Sequence, residues 1–184
     1  MQTEDLARDV GATLSKPRFK HVQGVVTTAV RLAVQYGESE ERARTAAWLH
    51  DIAREWPRDK LFEAAESIEV PAGFASIPAL LHGPIAAHIG RTVYGIEDVA
   101  ILDAITYHTT GRPEMTVLDM VLFVADAIEP GRQYPGVEEV RAAADRSLAD
   151  ATRISIDHTI RYLINAGKPL FPLTVLARNS LLTR

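Results

Sequence analysis

Six histidines and no cysteine set the terms on which this 184-residue chain could hold a metal. Any transition ion would have to bind through imidazole nitrogen and carboxylate oxygen. Four of the histidines, His21, His50, His82 and His108, fall at the ends of predicted helices or in the adjoining loops. Asp51 follows His50 directly, and Asp126 stands inside the apolar run Phe123-Val124-Ala125-Asp126-Ala127-Ile128. A carboxylate there must be hydrogen-bonded, paired or metal-bound, because an isolated buried charge is costly.

Taken singly, each of these residues is ordinary. A lone histidine among apolar neighbours is most often a satisfied core or capping group, and His88 and His158 are read that way. Asp126 could equally cap a neighbouring helix. The ordered set His21, His50-Asp51 and Asp126, with its members on separate helices, is what points to a metal centre. Two imidazoles and two carboxylates suit Fe(II), Mn(II) or Zn(II) and leave positions open for water or phosphate. Adjacent residues diverge by about 100° on a straight helix. His50 and Asp51 can therefore converge on one ion only near a helix end, and Pro57 one turn further on agrees with that placement.

The elements that must position these groups are helical nearly throughout. Val22, Val25, Val26, Ala29, Val30, Ala33 and Val34 fall on the three-four spacing of one buried stripe, which predicts a helix from Arg18 to Tyr36. Gly37 stands where a C-cap belongs, and Glu38 to Glu41 open a second helix with acids in its first turn. That helix is expected to run to the His50-Asp51 pair. Another is expected near Arg58–Ile68, and Val70–Pro84 reads as a loop with one short helical turn. Further helices are expected at Pro84–Tyr94, Ile96–His108, Thr116–Glu129, Val137–Leu148, Ala151–Ala166 and Leu173–Leu182. Thr116 and Asp119 have the spacing of a capping box. The fold class is all-α, a single-domain helical bundle.

Composition narrows the function. Hydrophobic residues make up 47% of the chain, which suits a globular domain and argues against disorder. Net charge is −4, so nothing draws the chain as a whole to nucleic acid or an anionic membrane. No signal peptide or membrane span is visible, and a cytoplasmic protein is the expectation. Arginine far outnumbers lysine among the 20 basic residues, which offers forks for phosphate but equally reflects base composition.

The order His21…His50-Asp51…Asp126 resembles the HD superfamily of phosphohydrolases. The blocks Arg18-Phe19-Lys20-His21-Val22, Leu49-His50-Asp51-Ile52-Ala53-Arg54-Glu55, Leu81-His82-Gly83-Pro84, Tyr107 to Pro113 and Ala125 to Arg132 are similar to one branch, the YqeK-type symmetrical dinucleoside tetraphosphatases. The resemblance runs from about Arg18 to Asn179. It implies a single HD domain over 1–184, with a metal-binding core at about 18–130 and C-terminal helices at about 137–184. It also implies hydrolysis of diadenosine tetraphosphate to two ADP. His21, His50, Asp51 and Asp126 match the family's metal ligands, with iron the implied metal and manganese or zinc acceptable to the same donors. His82 and His108 match histidines beside the phosphates, or beside a second metal. Arg18, Arg54 and Arg132 match basic positions facing the nucleotide. Asp51, His82 and His108 are the expected catalytic groups.

Three other readings compete. The same metal set serves nucleotidases, nucleoside triphosphate hydrolases and phosphodiesterases. A nucleotide-binding regulatory module with little turnover would have no need of open metal positions. A helical adaptor with incidental histidines is the third. Apolar surface on the C-terminal helices could serve a homodimer.

Overall fold

The computed structural model describes residues 3–182, so the four terminal residues of the expected 1–184 domain lie outside the described residues. The architecture is all-α and single-domain. Ten α-helices follow one another among the described residues: α1 Thr3–Thr13, α2 Lys16–Tyr36, α3 Glu40–Leu49, α4 Arg58–Glu66, α5 His82–Thr92, α6 Val99–Tyr107, α7 Val117–Ile128, α8 Val137–Ala144, α9 Leu148–Asn165 and α10 Pro172–Ser180. None is long and apolar enough to cross a membrane.

The apolar stripe of α2 buries Val22, Val25, Val26, Ala29, Leu32 and Ala33 against α3 and α7. Val30 and Val34 of the expected stripe stay outside it, Val34 being exposed. α7 is buried nearly all round, which fits its uninterrupted apolar sequence, and contacts α2, α3, α6, α8 and α9. Its start is held by the expected capping box between Thr116 and Asp119. A second, smaller core gathers Leu61, Phe74, Leu80, Leu81 and Ile85 under the irregular segment before α5. Phe74 anchors it, edge-on to Tyr107 and Phe171 at 6.1 and 5.3 Å between ring centroids.

Several expected boundaries move. The second helix ends at Leu49, before the His50-Asp51 pair, and His50 is its C-cap. From there the backbone tightens into i→i−3 bonds, Ile52 N to Leu49 O and Arg54 N to Asp51 O. The single turn expected in Val70–Pro84 is two 3-10 turns, Phe74–Ser76 and Pro78–Leu80. The expected Val137–Leu148 helix stops at Ala144, because Ser147 accepts from Asp150 N and caps a new helix at Leu148. Helix α1 was not expected; Leu6, Val10 and Leu14, four residues apart, bury its inner edge.

Two local devices position the chemistry-bearing residues. Ser15 caps α2 and is itself gripped by Glu55, which accepts from Ser15 N at 2.8 Å and from its hydroxyl at 2.7 Å. The segment after Asp51 is thereby tied to the start of the helix that carries Arg18 and His21. The second device is the close approach of α5 to α6 at Gly83, where an added Cβ would lie 2.6 Å from the Thr106 carbonyl oxygen. Only glycine lets the two backbones approach so far, and this brings His82 next to His108. Gly83→Ala is expected to cost about 1–3 kcal/mol in urea denaturation through overpacking against rigid backbone; unchanged stability would mean that the helices separate freely.

Candidate metal centre

Four helix ends and one helix interior converge on Asp51. His50 closes α3, His108 closes α6, His82 opens α5, His21 lies in the first half of α2, and Asp126 is in the last turn of α7. His50, Asp51, His82 and His108 are all buried, while His21 and Asp126 form the partly open rim.

The proton positions on three imidazoles follow from their partners. The Nδ1 of His50 lies 2.7 Å from Ala47 O, that of His82 2.6 Å from Ala79 O, and that of His108 2.7 Å from Ile105 O. A carbonyl oxygen only accepts, so each Nδ1 carries a proton and donates it. The partners are carbonyls three residues back, in the last turn of a helix or a 3-10 turn, where carbonyls run out of amide donors. His21 lies within a helix and uses a different acceptor, Glu129 Oε1, at 3.1 Å. On His50, His82 and His108 the Nε2 lone pair therefore points inward, while His21 has a carboxylate at each nitrogen, Glu129 Oε1 at Nδ1 and Asp126 Oδ1 at Nε2.

Asp51 stands between two groups of these nitrogens. Its Oδ2 lies 3.6 Å from His50 Nε2 and 3.9 Å from His21 Nε2, while its Oδ1 lies 3.2 Å from His82 Nε2 and 3.7 Å from His108 Nε2. His21, His50 and Asp51 form one group of metal-spaced donors, and Asp51, His82 and His108 form another. His50 Nε2 is fully buried with no hydrogen-bond partner. His82 Nε2 and His108 Nε2 face each other at 3.0 Å, and His21 Nε2 faces Asp126 Oδ1 at the same distance. Lone pairs opposed at that range repel unless a proton or a cation lies between them. An orphaned buried nitrogen and two such oppositions fit a divalent metal, and the donor set is nitrogen and oxygen throughout.

The electrostatics agree. Burial works to raise the Asp51 carboxyl, yet positive charge among the surrounding rings, a proton or a cation between the inward nitrogens, holds it well below the usual carboxylate range. Burial likewise opposes charge on Asp126, and the His21 and Arg132 contacts outweigh it. His108 is pushed down to about 3, first by burial and then by His82 and His50, so it is neutral and available as a ligand. Burial also opposes protonation of His21, but the carboxylates of Asp126 and Glu129 raise its pKa.

The sequence-derived basic residues divide. Arg18 Nη1 donates to Asp51 Oδ2 at 2.9 Å. Arg132 donates to the Asp126 carboxylate and, through Nε, to its carbonyl at 2.8 Å. Both lie at the mouth of the cluster. Arg54 is exposed, and no ion pair ties its guanidinium to these groups. His88 is exposed, and His158 pairs with Glu139 at 2.9 Å, away from the centre. Glu129 stands in the Ala125 to Arg132 block of the family resemblance, which assigns it no role of its own. Thr109 was also passed over; its hydroxyl lies 3.2 Å from His108 Nε2.

The all-helical bundle and this His-Asp cluster define a class, and comparison with known proteins identifies it. The sequence model of the family described as HD domain matches residues 18–131, and the chain belongs to that family. Within it, the chain is 39% identical over 184 residues, covering 99% of its relative, to the symmetrical bis(5'-nucleosyl)-tetraphosphatase of Bacillus subtilis. It is also 39% identical over 170 residues, 92% of this chain and 91% of the relative, to the protein of the same name from Halalkalibacterium halodurans. A crystal structure from Clostridium acetobutylicum, described as a predicted HD superfamily hydrolase involved in NAD metabolism, superposes with a TM-score of 0.94. That protein is 40% identical, and the match covers 100% of this chain and 98% of the other.

The shared position of Asp51 generates a prediction. Asp51→Asn keeps the shape but removes the charge between both donor groups. Divalent-metal affinity, read by calorimetry, should fall by more than the roughly 10–100-fold typical of losing an outer partner. Unchanged affinity would show that the ion is held without Asp51.

Proposed function

We propose that this protein hydrolyses diadenosine tetraphosphate to two ADP at the Asp51 cluster. The observation that carries the reading is the inward convergence of four imidazole Nε2 atoms on one buried carboxylate, in a chain similar over its whole length to symmetrical tetraphosphatases. His21, His50, Asp51 and Asp126 would hold the metal, with iron the first expectation and manganese or zinc suited to the same donors. When bound, a divalent ion supplies Lewis acidity toward a phosphoryl oxygen and lowers the pKa of a water.

The chain's own groups do the rest. Arg18 and Arg132 present guanidinium forks at the mouth of the cluster, which suits bidentate contact with the polyphosphate. Asp51 orients the attacking water and accepts its proton. The water oxygen bonds to an inner phosphorus as the bridging oxygen between the second and third phosphates departs with ADP. His82 and His108 carry inward lone pairs, so they serve as ligands to a second cation or as hydrogen-bond acceptors rather than as acids. The developing charge on the leaving oxygen is then compensated by the arginines. Arg54, exposed one turn after Asp51, is the outer substrate contact in this scheme. The setting is soluble and cytoplasmic.

Product analysis tests the reading. Diadenosine tetraphosphate incubated with the iron-loaded protein should yield ADP alone, and His50→Ala should abolish turnover. ATP with AMP would overturn the symmetrical cleavage, and no turnover by metal-replete protein would overturn the substrate. Asp126→Ala should lose metal and activity together, whereas His108→Ala should lower turnover with a smaller effect on bound metal. Full activity of Asp126→Ala at retained metal stoichiometry would remove Asp126 from the ligand set.

A further inference from the structure

Glu129 lies beside the cluster, buried, and takes no part in the scheme above. Its Oε1 accepts from His21 Nδ1 at 3.1 Å and its Oε2 accepts from Gly131 N at 2.6 Å. Its backbone carbonyl accepts from Arg132 N at 2.9 Å and from Arg141 Nη2 at 3.0 Å, which fixes the turn that follows α7. Two glycines form its seat. An added Cβ on Gly24 would lie 2.5 Å from Glu129 Oε2, and one on Gly131 would lie 2.9 and 3.0 Å from the two carboxylate oxygens. Gly24 is three residues beyond His21, on the same face of α2. A glycine within a helix is destabilising by roughly 0.5–1 kcal/mol relative to alanine, so its presence there asks for a reason. The reason on view is the room it leaves for this carboxylate.

The need for such a carboxylate follows from helix geometry. His50, His82 and His108 stand at helix ends, where each Nδ1 finds a spare carbonyl three residues back. His21 stands inside α2, where the preceding carbonyls already accept from the helix's own amides. Asp126 Oδ1 lies 3.0 Å from its Nε2 and favours the Nε2–H tautomer, which imidazole also prefers in water, so the acceptor at Nδ1 is what opposes it. Without that acceptor the Nε2 facing Asp51 and Asp126 would carry a proton in place of a lone pair.

We propose that Glu129 is a positioning residue that fixes His21 in its Nδ1–H form and keeps the Nε2 lone pair of His21 turned toward Asp51 and Asp126. The proposal rests on the reading of His21 as a metal ligand. Outer partners of metal-binding histidines act in this way, and their removal typically weakens metal binding about 10–100-fold.

The test combines two readouts on the full chain. Proton–nitrogen correlation spectra of isotope-labelled, metal-free protein report the His21 tautomer at alkaline pH, where imidazole is neutral. Chelator competition reports affinity for Mn(II). Glu129→Ala should move His21 toward the Nε2–H form and weaken Mn(II) binding by about 10–100-fold. Glu129→Gln offers one acceptor oxygen to two donors, His21 Nδ1–H and Gly131 N–H, and should shift the tautomer and the affinity less than Glu129→Ala does. Gly24→Ala retains the carboxylate but displaces it, and should reproduce the loss. An unchanged tautomer in Glu129→Ala overturns the proposal, whether or not affinity falls, because Glu129 would then act through packing alone. If Glu129→Ala does not fold, Gly24→Ala decides: a His21 tautomer unchanged from the unsubstituted protein overturns the proposal, and a shift toward Nε2–H supports it. The tautomer is read without metal or substrate, so this outcome is separable from any failure to hydrolyse diadenosine tetraphosphate.

Discussion

Asp51 carries a carboxylate to a depth where burial alone would favour its protonated form. It stays ionised because the Arg18 guanidinium lies 2.9 Å away and the inward nitrogens of His21, His50, His82 and His108, at 3.2–3.9 Å, gather a proton or a cation beside it. A buried charge is tolerated only with such compensation, and much of the architecture can be read as the means of delivering it. α3 ends at Leu49 so that His50 and Asp51 leave the helix together. α5 and α6 touch at Gly83 so that His82 and His108 reach the same oxygen. α7 brings Asp126 and then Arg132 to the rim, balancing one carboxylate with one guanidinium.

The division between core and site follows from this. The main core, built on α2, α3, α6 and α7, supplies hydrophobic stability and leaves the polar ends of its helices to meet at one place. Helix ends are where backbone groups lack partners. Imidazoles placed there satisfy a stranded carbonyl with one nitrogen and offer the other to the centre, so fold and site draw on the same hydrogen bonds.

Much of this was legible from the residues. The helical periodicity, the caps at Gly37 and Thr116 and the siting of His50, His82 and His108 at helix ends are local properties that the structure bears out. His21, expected at a helix end, instead lies inside α2 because that helix begins at Lys16. The convergence of His50 with Asp51 was readable because helix geometry forbids it elsewhere. What escaped was set by contacts distant in sequence. Glu129 stood in a matched block without a role, since nothing local says that a residue 108 positions from His21 lies against its ring. Gly24 was the available signal, as an unexplained glycine one turn from a candidate ligand. Helix α1 was passed over although Leu6, Val10 and Leu14 repeat every fourth residue; Gly11 interrupts that short pattern. The break before Leu148 was hidden because Ser147 reads as an ordinary polar helix position until its side chain is seen to cap.

The Nδ1 bonds of the four histidines also differ in the length of chain they span, and that bears on how the centre assembles. Three of them close within their own turn, three residues apart, so those rings acquire their orientation as soon as the local segment is formed. The fourth closes across most of the chain, between the second helix and the turn after the seventh. During synthesis or refolding three rings can be oriented by their own turns, while the fourth needs α2 and the turn after α7 to meet. The orientation of His21 is thus a property of the assembled bundle, whereas that of the other three rings is a property of their own turns.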